Sequence, residues 1–265
     1  MLEVKKISEK ITELRQEIFV IQQLIQRDRK RNISSTFMGE LWEIINPLIN
    51  MIVMVLVFGK MFGNASDKLF PLYVLTGTTI YGLFTSGTTM CLNALSGNKN
   101  FLIKTQIKKN IYVLEKVLLA FRNFLFSIII YLFVIAIYRI SPSWTWLYVI
   151  PDIFLLLIMM QGMGKLLATI NVSFADITYF YKIFTLMLMY GSALFYRMDR
   201  LAPYVQDVMV INPIYMAITI ARVAIMDKTS PSLTMWLVMV VYAMLGYVFG
   251  TYVFDKESDN IVAKL

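Results

Sequence analysis

Histidine is absent from this 265-residue chain, and cysteine occurs once, at Cys91. The first absence removes every His-based catalytic triad and every imidazole metal ligand; the second leaves no disulfide framework and no thiolate cluster. A phosphate-binding loop is also missing. Such a loop needs Gly-x4-Gly-Lys-Ser/Thr so that backbone amides can cradle phosphates. The nearest string, Gly162-Met163-Gly164-Lys165, lacks both the spacing and the hydroxyl residue. Charged residues are scarce, at 16%, and none of the acidic ones falls within 44–62, 70–92, 179–196 or 234–254. Proton-coupled carriers place an ionisable group at mid-membrane, and intramembrane aspartyl proteases need two aspartates there, so both classes are disfavoured. The expectation is a chain that is not an enzyme, with no catalytic residue and no metal or cofactor of its own.

Hydrophobic residues, by contrast, reach 58%, well beyond the range of soluble domains. A bilayer core is crossed by roughly 20 apolar residues with every backbone polar group paired internally, so long apolar runs read as helices. Six are expected: 44–62, 70–92, 113–138, 147–170, 179–196 and 234–254. A net charge of +8 would point to nucleic acid in a soluble protein, but here the basic residues flank apolar runs, and no nucleic-acid partner is expected. Lys5, Lys6, Lys10, Arg15, Arg27, Arg29, Lys30 and Arg31 precede the first run, and Lys99, Lys104, Lys108, Lys109 and Lys116 lie between the second and third. The positive-inside rule then puts both chain ends in the cytoplasm of a multi-pass protein of the inner cell membrane. The first apolar run begins only after some forty charged and polar residues, so it is expected to be a retained span and no signal peptide. Lys165 and Lys182 fall near cytoplasmic span ends, where a lysine can snorkel; Arg122 lies deeper, and pairing within the bundle is favoured over a substrate role.

Val4, Ile7, Ile11, Leu14, Ile18, Ile21 and Ile25 recur at alternating spacings of three and four, predicting a helix with one narrow apolar stripe. Two readings are open: a short coiled-coil seam, or an amphipathic helix lying on the cytoplasmic leaflet. In 98–109, NKNFLIKTQIKK, Phe101, Leu102, Ile103 and Ile107 can share a helical face, the alternative being a plain basic loop. Asp176 is placed to cap the fifth span. The 197–232 segment is long for a structureless loop. Its apolar pieces 201–210 and 214–226, hinged at Asn212-Pro213, are each too short to cross and read as a re-entrant helix pair. Tyr73, Tyr81 and Phe84, with Tyr190, Phe195 and Tyr196, sit where a translocation path would run, and their flat faces suit sugar rings. Interfacial aromatic belts carry the same residue types. Gly77, Gly82 and Gly87 are read as close helix packing.

Residues 26–50, QRDRKRNISSTFMGELWEIINPLIN, lead from a basic approach into the first span. Arg27, Asp28, Lys30, Met38, Gly39, Trp42, Asn46 and Pro47, in that order and spacing, resemble the entry to the first membrane helix in the permease subunit of ATP-binding-cassette (ABC) polysaccharide exporters. This is the teichoic acid and O-antigen export family. Asn212-Pro213 followed by Arg222 resembles a second signature of that family, and the likeness runs from about Leu24 to the C-terminus. The chain departs from the pattern at Ile107-Lys108, where Phe-Pro is frequent, and at Ala175, where Arg precedes the residue matched by Asp176.

The resemblance implies an all-α integral membrane protein: 1–43 a cytoplasmic arm and interfacial helix, 44–265 a six-helix transmembrane domain. It implies a homodimer with two copies of a cytoplasmic ATPase that binds ATP and Mg, surrounded by membrane lipids, with a lipid-linked polysaccharide as cargo. Residues 98–109 would be the coupling helix that docks on the ATPase, through Asn98, Phe101, Lys104, Ile107, Lys108 and Lys109. Arg27, Arg29, Lys30, Arg31 and Trp42 would form the interfacial helix and substrate entry, with a positive-inside anchor as the alternative. Asn212, Pro213 and Arg222 would belong to the outward re-entrant segment, 197–232. A related exporter of a drug, lipid or other amphiphile would share this plan; a non-transporting scaffold subunit is the alternative from another class.

Overall fold

The computed structural model describes residues 2–33, 41–61, 68–105 and 107–264, and among these every regular element is helical. In chain order they are α1 (Leu2–Ile33), α2 (Leu41–Met61), α3 (Phe70–Leu92), a 3-10 turn (Ser96–Asn98), α4 (Lys99–Lys104) and α5 (Lys109–Ile137). A second 3-10 turn (Trp144–Tyr148) leads into α6 (Val149–Ser173), followed by α7 (Ile177–Tyr190), a third 3-10 turn (Met198–Arg200), α8 (Pro203–Val210), α9 (Pro213–Arg222), a π-helical turn (Val223–Asp227) and α10 (Leu233–Lys264). Three segments among the described residues are long and apolar enough to cross a bilayer: Lys109–Ile137, Trp144–Ser173 and Leu233–Ser258. A fourth is added if α8 and the α9 segment, bent by 93° at their junction, count as one broken span.

α3 is the hub, packed against α2, α5, α6, α7 and α9. At about 35 Å it is long enough to span, but its threonines and glycines lower its hydropathy. The packing explains that composition. Thr76 bonds the Leu72 carbonyl and the Tyr131 hydroxyl, each at 2.8 Å, and Thr88 accepts from the Tyr181 hydroxyl. Two of the three α3 glycines make close approaches, Gly77 to the Arg222 side chain and Gly87 to Met160, whereas nothing lies within 4 Å of where a Gly82 side chain would begin. A tighter approach joins α6 and α10: a Cβ on Gly162 would overlap the Gly246 backbone, and one on Gly250 the Gly162 carbonyl. Small residues four apart on α10 let the two backbones touch, the usual solution where lipid offers no hydrophobic drive to association. Side chains on the outer faces, such as Ile129, Phe133, Phe154, Met187 and Phe249, are exposed and suit contact with lipid tails.

Several expected boundaries move. The fifth span was expected to reach Tyr196, but α7 stops at Tyr190 because the next six residues form a turn pinned by other helices. The coupling helix expected over 98–109 is only Lys99–Lys104; Thr105 and Lys108 take extended backbone angles, and Lys109 already starts α5. Lys165, expected to snorkel, is buried between α6 and α10, bonding Thr251 Oγ1 at 3.0 Å and lying 5.0 Å from the Tyr247 ring centre. Lys182 is exposed beside Tyr179. Arg122 lies 5.3 Å over the Phe126 ring. Asp176 occupies the cap position of α7 but makes no side-chain cap bond; Asn171 instead accepts from Thr178 at 3.1 Å. Pro47 lies in the second turn of α2, not at its start, while Met38 and Gly39 fall outside the described residues.

Candidate functional site

Two groups of expected site residues meet at one end of the bundle. α1 packs on α5: Ile21 of the expected stripe is buried together with Leu24 outside it, while Ile11, Leu14 and Ile18 of the stripe are exposed. One turn beyond Leu24, Asp28 is buried, ion-paired with Lys116 of α5 and with Arg27 at 2.7 Å. Lys116 also pairs with the buried Glu115 at 3.0 Å. Burial alone would raise the Asp28 carboxyl, but Lys116 and Arg27 together hold it below its ordinary value. Arg27 then reaches the expected coupling segment: it donates to Asn98 Oδ1 at 2.8 Å and lies 5.2 Å over the Phe101 ring.

The rest of that segment is tethered on both flanks. Lys108 pairs with Glu17 of α1 at 2.7 Å, and the hydrogen bond to Glu17 raises the lysine above its ordinary value. Lys109 donates to the Ser258 carbonyl of α10 and lies 3.3 Å from its hydroxyl. Ile107 is half-buried against the core, Leu102 is buried, and Phe101, Ile103 and Lys104 are exposed. The single apolar face expected of this segment is therefore split: Leu102 holds the helix down and Phe101 with Ile103 points outward.

A cavity of about 230 Å³ opens beside this network, lined by Arg27, Asp28, Arg31, Asn93, Asn98 and Lys116 among others. Three cations face one carboxylate, so it favours an anion. Arg29, Lys30 and Trp42, from the same expected group, are exposed.

At the opposite end, Arg222 is buried and donates to the carbonyls of Tyr73 and Ala193, both at 3.0 Å, and of Leu194 at 3.3 Å. Tyr73 donates to the Tyr196 carbonyl at 2.9 Å, and Asn212 to the Gly191 carbonyl at 2.8 Å while its own Oδ1 caps Ile214 N at 2.9 Å. These bonds satisfy the carbonyls of Gly191, Ala193, Leu194 and Tyr196 in the 191–196 turn, where Ala193 adopts a positive φ of 48°. Asn212 and Arg222 are thus brought together with Tyr73 and the 191–196 turn, which carries Phe195 and Tyr196, while Pro213 opens α9 directly after Asn212. Phe84 and Phe195 are buried, Tyr81 donates to the Thr185 carbonyl at 2.7 Å, and Tyr190 is exposed.

None of those six aromatic residues lines either cavity between α3 and α5. One cavity, about 200 Å³, is bordered by Asn46 and Asn50 of α2, Thr78, Thr79, Gly82 and Ser86 of α3, and Asn123 and Ser127 of α5. Sequence reasoning missed it, although the signal was there: polar or small residues recur four apart within three apolar runs, at 46 and 50, at 78, 82 and 86, and at 123 and 127. The other, about 160 Å³, is largely apolar, lies between α3, α5, α6 and α9, and shares Thr79 with the first.

The sequence profile described as ABC-2 type transporter matches residues 20–226. An O-antigen export system permease protein RfbA of Klebsiella pneumoniae is 24% identical over 192 residues, covering 72% of this chain and 74% of that protein. A second Klebsiella pneumoniae protein of the same name is 23% identical over 207 residues, covering 78% and 80%. One from Myxococcus xanthus is 25% identical over 154 residues, covering 58% and 59%.

Proposed function

This chain belongs to the ABC-2 type transporter family of membrane subunits, and on that premise we propose that it is the permease half of an ATP-driven exporter for a lipid-linked cell-envelope polysaccharide, of O-antigen or teichoic acid type. The named relatives support the cargo class. The reading adds a homodimer with two copies of a cytoplasmic ATPase, which would supply ATP and Mg chemistry. It also adds six spans, α2, α3, α5, α6, α7 and α10, with α8 and α9 as an outward re-entrant pair and both termini cytoplasmic.

The observation that carries the reading is α4. A six-residue helix with Phe101 and Ile103 exposed is held from α1 by Arg27 and from the core by Leu102, and its chain neighbour Lys109 is held by α10. Such a piece has an outward apolar face for a partner and hydrogen-bonded anchors on α1 and α10 beside it. ATPase closure would press on α4, and the Arg27, Asp28 and Lys116 network would pass the movement to α1 and α5. The anionic end of the lipid carrier would enter at the cavity beside Arg27 and Arg31, whose lining carries more positive than negative charge.

The test is to co-express the chain with each ATPase subunit of its own genome and purify the membrane complex. A partner should be retained, with ATPase activity that depends on this chain and is lost when 98–109 is altered. No retained ATPase under any condition would refute the exporter reading and leave a scaffold subunit.

A further inference from the structure

The groove centred on Gly82 is built differently from the rest of the bundle. Gly82 and Asn123 lie near the midpoints of α3 and α5, so in a spanning helix this is the depth farthest from water. Seven amide and hydroxyl residues from three helices converge there with no charged residue among the lining. In hydrocarbon, polar groups without partners are costly, yet Asn46 and Asn50 are exposed on α2, and the Thr79 hydroxyl is buried without a hydrogen bond among the described residues. Gly82 adds a second, independent sign. The space beside Gly77 and Gly87 is taken by Arg222 and Met160, whereas the space beside Gly82 is open.

We propose that this groove is a subsite for the uncharged, hydroxyl-rich part of the cargo, a run of neutral sugar units; it rests on the saccharide-exporter reading above. Amides and hydroxyls both donate and accept, as sugar hydroxyls do. A phosphate or an ion would call for charge in the lining, and an acyl chain for the neighbouring apolar pocket. None of the six aromatic residues expected to contact sugar lines this groove, so cargo recognition at this depth passes to the amides and hydroxyls.

The test uses the complete exporter in its own cells, with surface polysaccharide measured by glycan-specific staining. If deleting this chain leaves the staining intact, the exporter reading fails and the subsite with it. Given that dependence, Gly82→Phe fills the groove from a position where its first atom meets no neighbour. It is expected to abolish surface glycan while the purified complex keeps its ATPase subunit and its ATP hydrolysis. A second variant avoids any folding question: Cys91, the sole native cysteine, is fully buried, so Ser127→Cys can be labelled in assembled protein with a benzyl methanethiosulfonate. Labelling at Ser127→Cys with loss of export, and no effect on wild type, is the expected result. Full export by folded Gly82→Phe, full export after complete labelling, or failure of Ser127→Cys to label would each overturn the subsite while leaving the exporter reading standing.

Discussion

The Arg222 guanidinium carbon lies 3.4 Å from the centre of the Tyr73 ring, and the same side chain bonds the Tyr73 backbone carbonyl. One cation thus ties α9 to the start of α3 and, through Ala193 and Leu194, to the turn that ends α7. The clamp is the reason the re-entrant-like pair and α7 share one geometry.

Arg222→Ala should destabilise the protein by about 3 kcal/mol or more, since it leaves three carbonyls short of a charge-assisted donor. Arg222→Lys should recover only part of this, because an ammonium cannot reproduce the planar fork and ring stacking. Thermal unfolding of the purified complex in nanodiscs measures both; equal stability of Arg222→Lys and wild type would count against the clamp.

Asp28 and Lys116 form the buried pair that joins α1 to α5. Losing one partner leaves Asp28 with Arg27 only, or Lys116 with Glu115 only, so Asp28→Ala or Lys116→Ala should each cost on the order of 1–3 kcal/mol, and the double variant Asp28→Ala with Lys116→Ala should cost less than the sum. A double-mutant cycle on unfolding free energy decides this. Additive losses would mean that the two side chains act independently.

The pH response of that joint has a defined sign. The folded-state carboxyl of Asp28 sits below its unperturbed value of 3.8, so its contribution to α1 docking is complete above that value and is lost as pH falls through the lower folded value. The distance between spin labels placed on α1 and α5 should stay constant from neutral pH down to about the ordinary carboxylate value and should lengthen as pH falls below it. Asp28→Asn should abolish that acid step.

Phe101 and Ile103 are exposed and contribute little to the fold. Phe101→Ala together with Ile103→Ser should leave the unfolding temperature close to wild type and remove ATPase retention in a pull-down. Loss of stability with retained partner would reverse the assignment of this face.

Glycine positions should separate sharply. Gly250→Leu and Gly162→Leu force α6 and α10 apart and should prevent accumulation of folded protein, whereas Gly82→Ala should be tolerated or stabilising by up to about 1 kcal/mol, since helix propensity improves and the space is open. Membrane-fraction yield and unfolding temperature distinguish the two classes.

Much of the architecture could be read before any packing was known. The α5, α6 and α10 helices follow from unbroken apolar runs. The hinge at Asn212-Pro213 follows from a proline that favours the first helical turn behind a side chain that caps it. The end of α7 was not legible, because 191–196 is as apolar as the helix before it and its turn exists only through donors on α3 and α9. The surroundings of the six expected aromatic path residues were not legible for a similar reason: hydropathy marks depth in a membrane but not which neighbour a ring meets. The GxxxG pair at Gly246 and Gly250 stands in the sequence, but nothing in the sequence says that it meets Gly162 of α6.

Composition and apolar run length alone dictated a helical membrane protein without histidine, disulfide or phosphate-loop chemistry, because a bilayer admits few ways to satisfy a backbone. Tertiary packing alone decided that Arg27 belongs with Asn98, that Lys165 is buried, and that the polar groove opens at Gly82. Those are relations between side chains brought together from distant parts of the chain, and their partners are chosen by shape and charge after the helices have formed.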